Sequence, residues 1–392
     1  MKPRLKKTLK WVGVILLTLN VLILMSGKTY LYKAVWYNLA DIDDEPIFAF
    51  RTIKAGTEIK LPYGADYNKK KLNGAVIKHL EDNKSVAFVI YRNDSLVYER
   101  YWDTYNANSR TSSFSMAKSI TSVLIGCALD EGKIKSLDEP VSHYIPTYKD
   151  GMRSQLTIKH LLEMASGIDW NESYINPMSL TTEAYYGSDI PSIVENLQVI
   201  KKPGEYFNYQ SSNQLVLAAV LEKATGKPLA EYMSEKLWRP LGAAKDATWS
   251  LDAEGGHEKA YCCVNSNALD FARIGMLFLN KGMWKGKRVL SEEYIKQSVS
   301  PAPILNADQS PCNHYGLSWW ITQVDFAGAQ HYVYYMRGIL GQYVFVIPEY
   351  GMVICRLGHH RDETKSGEHR TEIYDYMKAA LEAYATTPLI PN

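Results

Sequence analysis

Two β-rich stretches lie near opposite ends of the chain, and a long helical stretch separates them. Ser85 to Tyr91 and Ser95 to Tyr101 are rich in β-branched and aromatic residues and are joined by the turn residues Arg92-Asn93-Asp94, which predicts a hairpin. Gln342 to Ile347 and Met352 to Leu357 flank Pro348-Glu349-Tyr350-Gly351 as a second hairpin, and Leu317 to Thr322 and Gln330 to Tyr335 add further strands. From about 114 to 296 the pattern is helical, over Ser115 to Glu131, Ile158 to Ala165, Asn213 to Ala224, Leu229 to Leu237 and Ala268 to Asn280; Glu368 to Tyr384 reads as a closing helix. Strands so placed point to one sheet closed by both ends of the chain, with the helical insertion packed beside it. The expected fold is of the α/β (α+β) class, an antiparallel sheet flanked by helices with a mostly helical second lobe. A cleft is expected where the two meet.

The chain of 392 residues allows two or three units at roughly 150 residues each, and 46% hydrophobic with 22% charged residues excludes a disordered chain. Its net charge of +2 is uneven, because Lys2, Arg4, Lys6, Lys7 and Lys10 crowd the start. With those set aside the remaining basic residues fall just short of the 42 acids, so nothing electrostatic favours nucleic-acid binding. Small, uncharged substrates fit better.

After the cations, Trp11 to Met25 is apolar except for Thr18 and Asn20, a charged segment followed by a hydrophobic one. Fifteen helical residues reach only about 22 Å, so crossing a ~30 Å hydrocarbon core requires extension to about Leu9 and Gly27, with Lys28 snorkelling. Ser26-Gly27-Lys28-Thr29 is a poor cleavage site, which favours an uncleaved inner-membrane anchor over a cleaved signal. The flanking charge then puts the body in the periplasm or exterior. The expected division is an anchor or signal at 1–28, a connecting segment at 29–80, a catalytic domain at 81–385 with its helical lobe at about 114–296, and a tail at 386–392. Cys127, Cys262, Cys263, Cys312 and Cys355 are odd in number and lack metal-ligand spacing, and no disulfide is expected.

The sharpest chemical feature is Ser115-Met116-Ala117-Lys118 at the start of an apolar helix. Positions i and i+3 share a helix face, so the amine of Lys118 can lie beside the Ser115 hydroxyl. A serine hydroxyl needs a proton acceptor to attack a carbonyl, and apolar surroundings disfavour an ammonium. The first helical turn also offers free N–H groups to developing negative charge.

Ser115 to Lys118 within Ser-Phe-Ser-Met-Ala-Lys-Ser-Ile-Thr-Ser, Leu156 to Gly167, and Pro203-Gly-Glu-Tyr-Phe-Asn-Tyr-Gln-Ser-Ser-Asn213 occur in an order and spacing that resembles the serine β-lactamase-related hydrolases of the class C and penicillin-binding type. The resemblance covers about 80–385. It is nearest the 6-aminohexanoate-dimer hydrolase and carboxylesterase branch, because Arg337-Gly338-Ile339-Leu340-Gly341-Gln342 stands where lactamases carry a Lys-Thr-Gly strand.

The resemblance implies a β-lactamase/transpeptidase-like fold, an acylated Ser115, Lys118 as its proton partner, and Tyr209 as relay to the leaving group and the deacylating water. Lys118 and Tyr209 protons then form one coupled system. It also implies an oxyanion hole from the N–H groups of Ser115 and Ile339, with Gly338 admitting close substrate approach. Ser211 replaces the usual second-motif amide, and Arg337 is a displaced substitute for the third-motif lysine. Both changes disfavour β-lactam hydrolysis and favour a broader esterase or amidase.

Trp170 and Tyr174 are candidate pocket walls, and Gln342 a candidate for orienting substrate, while Asn213 reads as local hydrogen bonding. His359-His360 has no third ligand at a plausible spacing, so no metal site is expected and no cofactor is implied. Glu163, Asp169 and Glu172 form no convincing carboxylate pair. The reading is a serine hydrolase of short amides or esters, bound to the membrane only through its N-terminal segment. The alternatives are a D-alanyl peptidase or β-lactamase, and a catalytically silent envelope protein that binds cell-wall peptides.

Overall fold

The computed structural model describes residues 3–385; Met1, Lys2 and the expected tail at 386–392 lie outside them. Helix α1 (Pro3–Ser26) runs past both ends of the apolar run and leaves most of the apolar side chains between Leu9 and Met25 exposed. Its segment Lys7–Ser26 is 20 residues long, about 30 Å of helix, enough to cross a membrane as an anchor or a signal sequence would. Next come α2 (Tyr30–Tyr37), β1 (Phe50–Ile53), α3 (Gly74–Asp82) and the hairpin of β2 (Ser85–Arg92) and β3 (Ser95–Tyr101). Asn93 and Asp94 both have positive φ, as a tight hairpin turn requires.

A short β4 (Thr111–Ser112) leads into α4 (Met116–Asp130). The helices α5 (Ile158–Leu162), α6 (Leu180–Tyr186), α7 (Ile190–Asn196), α8 (Ser212–Thr225) and α9 (Leu229–Met233) follow. Then come β5 (Ala247–Ser250), β6 (Val264–Ser266), α10 (Ala268–Leu279), the small hairpin of β7 (Met283–Trp284) and β8 (Lys287–Arg288), and α11 (Glu292–Ser298). The chain closes with β9 (Trp320–Phe326), β10 (Ala329–Gly338), β11 (Gln342–Ile347), β12 (Met352–Gly358), the two-residue strands β13 (Lys365–Ser366) and β14 (His369–Arg370), and α12 (Glu372–Tyr384).

The main sheet has the order β3-β2-β12-β11-β10-β9 and every pair is antiparallel, so the two ends of the chain meet at β2 and β12 as the sequence pattern predicts. Helix α10 packs on β12 and β11, and there Gly275 matters: a Cβ would lie 2.8 Å from side-chain carbons of both Val344 and Val353. A second sheet, β1-β5-β6-β4, lies partly within the stretch expected to be helical, and β1 brings residues of the 29–80 segment into it. Strand β9 begins at Trp320, not Leu317, and α12 begins at Glu372 because residues before it form β14.

Helix α4 is the hub of the helical side. Met116 through Ala128 are all buried, as an all-round apolar helix must be. Its hydroxyls are consumed by neighbouring backbone: Ser119 donates to the Ser318 carbonyl at 2.6 Å, Ser122 to Leu317 at 2.8 Å and Thr121 to Ala260 at 3.1 Å. Three small polar residues thus pin α4 to the loops that carry β9 and β6 without leaving unsatisfied groups in the core.

Candidate active site

Ser115 sits at the N-terminal end of α4, reached through Phe114, a non-glycine residue at φ +43°. That left-handed residue turns the chain sharply out of β4, and Ser115 remains 8% exposed. Among the described residues, its backbone N–H makes no hydrogen bond.

Lys118, one turn on, is 1% exposed and donates to three acceptors: the Ser115 hydroxyl oxygen at 2.8 Å, the Tyr261 carbonyl at 3.2 Å and the Ser211 hydroxyl oxygen at 3.3 Å. Three acceptors match the three N–H bonds of an ammonium. A neutral amine has two N–H bonds and one lone pair, so donation to Ser211 and Tyr261 would leave the lone pair facing the nearest neighbour, the Ser115 hydroxyl. Either arrangement keeps the Ser115 oxygen and the Lys118 nitrogen in direct hydrogen-bond contact, the geometry that a proton transfer between them requires.

Tyr209 meets Lys118 by its ring: the ammonium nitrogen lies 4.9 Å from the ring centroid. Its ring packs tilted on Trp320 at 5.2 Å and edge-on to Tyr315 at 6.1 Å, and among the described residues its hydroxyl makes no hydrogen bond. The structure thus brings Ser115, Lys118 and Tyr209 together, with the phenol lying over the amine and not bonded to it.

A residue that the sequence reading set aside organises this cluster. Glu172 accepts from the Ser211 N–H and the Trp170 indole, both at 2.7 Å through Oε2, and from the Ser211 hydroxyl at 2.7 Å and the Tyr174 hydroxyl at 2.5 Å through Oε1. Because Ser211 donates its only hydroxyl proton to the carboxylate, its lone pairs are left to accept from Lys118. The readable signal was alternation: Trp170, Glu172 and Tyr174 are two apart, so an extended loop turns them to one side.

The same contacts involve several of the residues expected to bind substrate. Ser211 is fully buried between Lys118 and Glu172, and Trp170 is buried with its indole shared by Glu172 and Thr181. Gln342 is buried too, with its amide nitrogen donating to the Ile339 and Gly358 carbonyls at 3.1 and 2.6 Å and its oxygen accepting from the Gly358 N–H at 3.0 Å. All three have their side-chain polar atoms paired within the protein. Gly338 is needed for the chain itself: a Cβ there would stand 2.4 Å from the Ser113 carbonyl oxygen and 3.2 Å from Phe114, directly before Ser115. Tyr174 does line the cavity, as do Ser115, Ile339 and Leu340. This cavity is about 520 Å³, with Leu39, Ile175, Tyr261 and Cys262 among its other walls.

The turn that carries Ile339 is held by Arg356, another residue the sequence did not single out. Fully buried, it donates to the carbonyls of Leu340 at 2.9 Å, Gly341 at 2.8 Å and Asn83 at 2.6 Å, and to the Ser85 hydroxyl at 2.9 Å. Arg337 lies flat on Trp320, 3.2 Å from its ring centroid, and donates to the Glu368 carbonyl at 2.7 Å. Asn213 donates to the Met164 sulfur at 3.0 Å.

Contrary to expectation there is a disulfide, between the adjacent residues Cys262 and Cys263. Cysteines next to each other do not look pairable from spacing, since their Cα atoms stand only 3.7 Å apart, closer than the usual disulfide range of about 4.4–6.8 Å. The bridge immediately follows Tyr261, whose carbonyl is an acceptor for Lys118. Burial first, and then the charges of Glu172 and Tyr186, hold the Tyr261 phenol protonated well above its usual range. Asp41, Asp43 and His359 bring ligand-type atoms within 4.8 Å of one another, a grouping that sequence spacing missed. Both imidazole nitrogens of His359 are engaged, by Asp41 at 3.2 Å and by the Tyr105 hydroxyl at 3.1 Å.

An antiparallel sheet flanked by helices, with a serine and a buried lysine hydrogen-bonded at their junction, defines a serine hydrolase. Residues 74–375 match the family described as Beta-lactamase, and the chain belongs to that family. It is 28% identical over 303 residues to the 6-aminohexanoate-dimer hydrolase of Paenarthrobacter ureafaciens, which covers 73% of this chain and 75% of that one. A Bacillus anthracis protein provisionally given the same name aligns with a TM-score of 0.73 at 24% identity, over 86% of this chain and 90% of that one. A family VIII carboxylesterase aligns with a TM-score of 0.63 at 15% identity, over 83% of this chain and all of that one. At these identities the two structures speak to the fold.

Proposed function

We propose that this protein is a membrane-anchored hydrolase of short amides or esters that works through an acyl-enzyme on Ser115. The observation that carries the reading is the 2.8 Å hydrogen bond from buried Lys118 to Ser115 at the floor of a cavity. Ser115 Oγ forms a bond to the substrate carbonyl carbon while its proton passes to Lys118. The carbonyl oxygen takes up the negative charge and is met by the N–H groups of Ser115 and Ile339, where loss of one such donor typically costs about 3 kcal/mol. The carbon–nitrogen or carbon–oxygen bond to the leaving group then breaks, and the proton travels to that group through Lys118 and Tyr209. Water attacks the acyl-enzyme by the same proton path in reverse, releasing the acid and restoring Ser115. A body lying outside the cytoplasm is supported by the five cations that precede the apolar run.

The names of the relatives, a 6-aminohexanoate-dimer hydrolase and a carboxylesterase, support an amide or ester substrate. Arg337 is occupied on Trp320, which supports a substrate other than a β-lactam carboxylate. The test is to label the protein with a fluorophosphonate beside Ser115→Ala and Tyr209→Phe, and to assay a short ester, a short amide and a chromogenic cephalosporin. Labelling and ester turnover that vanish in Ser115→Ala are expected. Equal labelling of both would remove Ser115 as the nucleophile, and faster cephalosporin than ester turnover would shift the reading to a β-lactamase.

A further inference from the structure

The residues between the apolar helix and the cavity form a surface that the hydrolase reading does not use. Helix α2 follows α1 after only Gly27-Lys28-Thr29, so at most about 10 Å of chain separates the two helix ends. The Tyr32 hydroxyl donates to Asn20 Oδ1 at 2.9 Å, which folds α2 back beside the last turns of α1. The other side of α2 is fixed to the body: Tyr30 is buried, the Tyr37 ring stacks on Tyr186 at 6.4 Å, and the Tyr186 hydroxyl donates to the Asn38 carbonyl at 3.1 Å.

What α2 leaves open is a stripe at i, i+3 and i+4, namely Tyr32, Val35 and Trp36, with Val35 80% and Trp36 83% exposed. Leu39, exposed just past the end of α2, belongs to the cavity wall, and Ile175, 85% exposed, lines the same cavity, with exposed Met178 nearby in sequence. Single exposed apolar residues are ordinary on a soluble surface, but a run of them joining a membrane-length helix to a cavity mouth is not. Tryptophan and tyrosine beside an exposed lysine, Lys33, is the composition of a membrane–water interface.

We propose that this face seats against the lipid bilayer that α1 spans, and that the Ser115 cavity takes amphiphilic esters or amides whose apolar part remains in the membrane. The proposal rests on α1 being a retained anchor and on the hydrolase reading above. With α2 held between α1 and the body, the mouth framed by Leu39 and Ile175 opens at headgroup depth. A substrate tail can then lie along apolar walls, Leu39, Ile175, Ile339 and Leu340, while its carbonyl reaches Ser115 without the tail entering water.

The experiment uses the full chain reconstituted in phosphatidylcholine–phosphatidylglycerol vesicles. In one arm Trp36→Cys carries an environment-sensitive fluorophore, and lipids brominated at the headgroup end of the acyl chain are the quencher. A blue-shifted emission quenched by those lipids is expected, whereas emission typical of water, or shielding that brominated lipid does not quench, as a bound protein partner would give, overturns the proposal. In the other arm a soluble short-chain ester and a long-chain ester dissolved in the vesicles are compared for the unlabelled protein and for Val35→Asp and Trp36→Asp. The long-chain rate is expected to fall at least about tenfold while the soluble rate stays within about twofold. Equal effects on both, or on neither, overturn it. Absence of turnover on every ester would count against the hydrolase reading instead, and the fluorescence arm would still decide the membrane contact.

Discussion

Glu172→Gln is the most discriminating perturbation of the site, because it changes the charge while nearly preserving the shape. Two of the four donors to Glu172, the Ser211 N–H and the Trp170 indole N–H, cannot reverse, and both point at Oε2. The glutamine oxygen must therefore occupy that position, which places its NH₂ against the Ser211 and Tyr174 hydroxyls. Ser211 then has to accept where it had donated, and its own proton turns toward Lys118. The lysine lone pair is drawn to Ser211 and away from Ser115. In energy, hydrogen bonds to a charged group contribute about 1.5–3 kcal/mol and neutral ones about 0.5–1.5, so the two bonds to Ser211 lose roughly 2–3 kcal/mol together. If the loss is felt fully in the transition state, kcat/KM falls roughly 30- to 150-fold. The assay is steady-state hydrolysis of a short ester together with the rate of fluorophosphonate labelling, with thermal unfolding run alongside to verify the fold. Tyr174→Phe, which removes a donor but keeps the carboxylate on Ser211, is expected to cost far less. Wild-type-like kcat/KM in a folded Glu172→Gln protein would refute the argument that Ser211 polarity directs Lys118.

Gly338→Ala is expected to lower both stability and kcat, since its Cβ would meet the Ser113 carbonyl at 2.4 Å and displace the segment before Ser115; a cost of about 1–3 kcal/mol is read by denaturant unfolding, and an unchanged midpoint would contradict it. Arg356→Met is expected to release the Leu340 and Gly341 carbonyls and reduce acylation by more than tenfold, up to the roughly hundredfold or more that one oxyanion donor supplies, and stopped-flow acylation at wild-type rate would count against that anchor. Reduction of the Cys262–Cys263 bridge, verified by mass, is expected to lower kcat/KM a few-fold by freeing the Tyr261 carbonyl from Lys118; activity indifferent to reductant would dismiss the coupling. Burial raises the Glu163 carboxyl from 4.5 to about 7, partly opposed by Lys159, so the folded state holds that proton more tightly than the unfolded chain. The resulting stability is fully present below about pH 4.5 and is lost as pH rises through about 7, a swing of roughly 3 kcal/mol. Glu163→Gln should therefore gain on the wild type across that window in a series of Tm measurements, and parallel curves would refute it.

The parts of the fold legible in the sequence are those fixed by local pattern. Asn93-Asp94 forces one hairpin, Pro348 to Gly351 the other, and an all-round apolar helix after Ser115 has to be central. The second sheet escaped notice because β4, β5 and β6 are two to four residues long and gain their register from distant partners, as when the Ser113 N–H donates to the Val264 carbonyl at 2.7 Å. The site divides in the same way. Ser115 and Lys118 are one helical turn apart, so their contact follows from helix geometry alone, whereas Glu172 reaches Lys118 through Ser211, and the alternation around Glu172 turns it to one side without naming that distant partner.

A motif gives the position of a residue but not what its polar atoms have left to offer. Gln342, Ser211 and Trp170 stand where substrate-binding groups were expected, yet each has its hydrogen-bonding capacity taken up by Gly358, Glu172 or Thr181. Among the described residues the Tyr209 hydroxyl and the N–H of Ser115 make no hydrogen bond, and in the proposed mechanism these are groups that a leaving group and a reacting carbonyl would need. The saturated neighbours make that spare capacity usable. Because they cannot rearrange without leaving a buried donor or acceptor unpaired, they hold the frame around Ser115 in place and offer its N–H no competing acceptor.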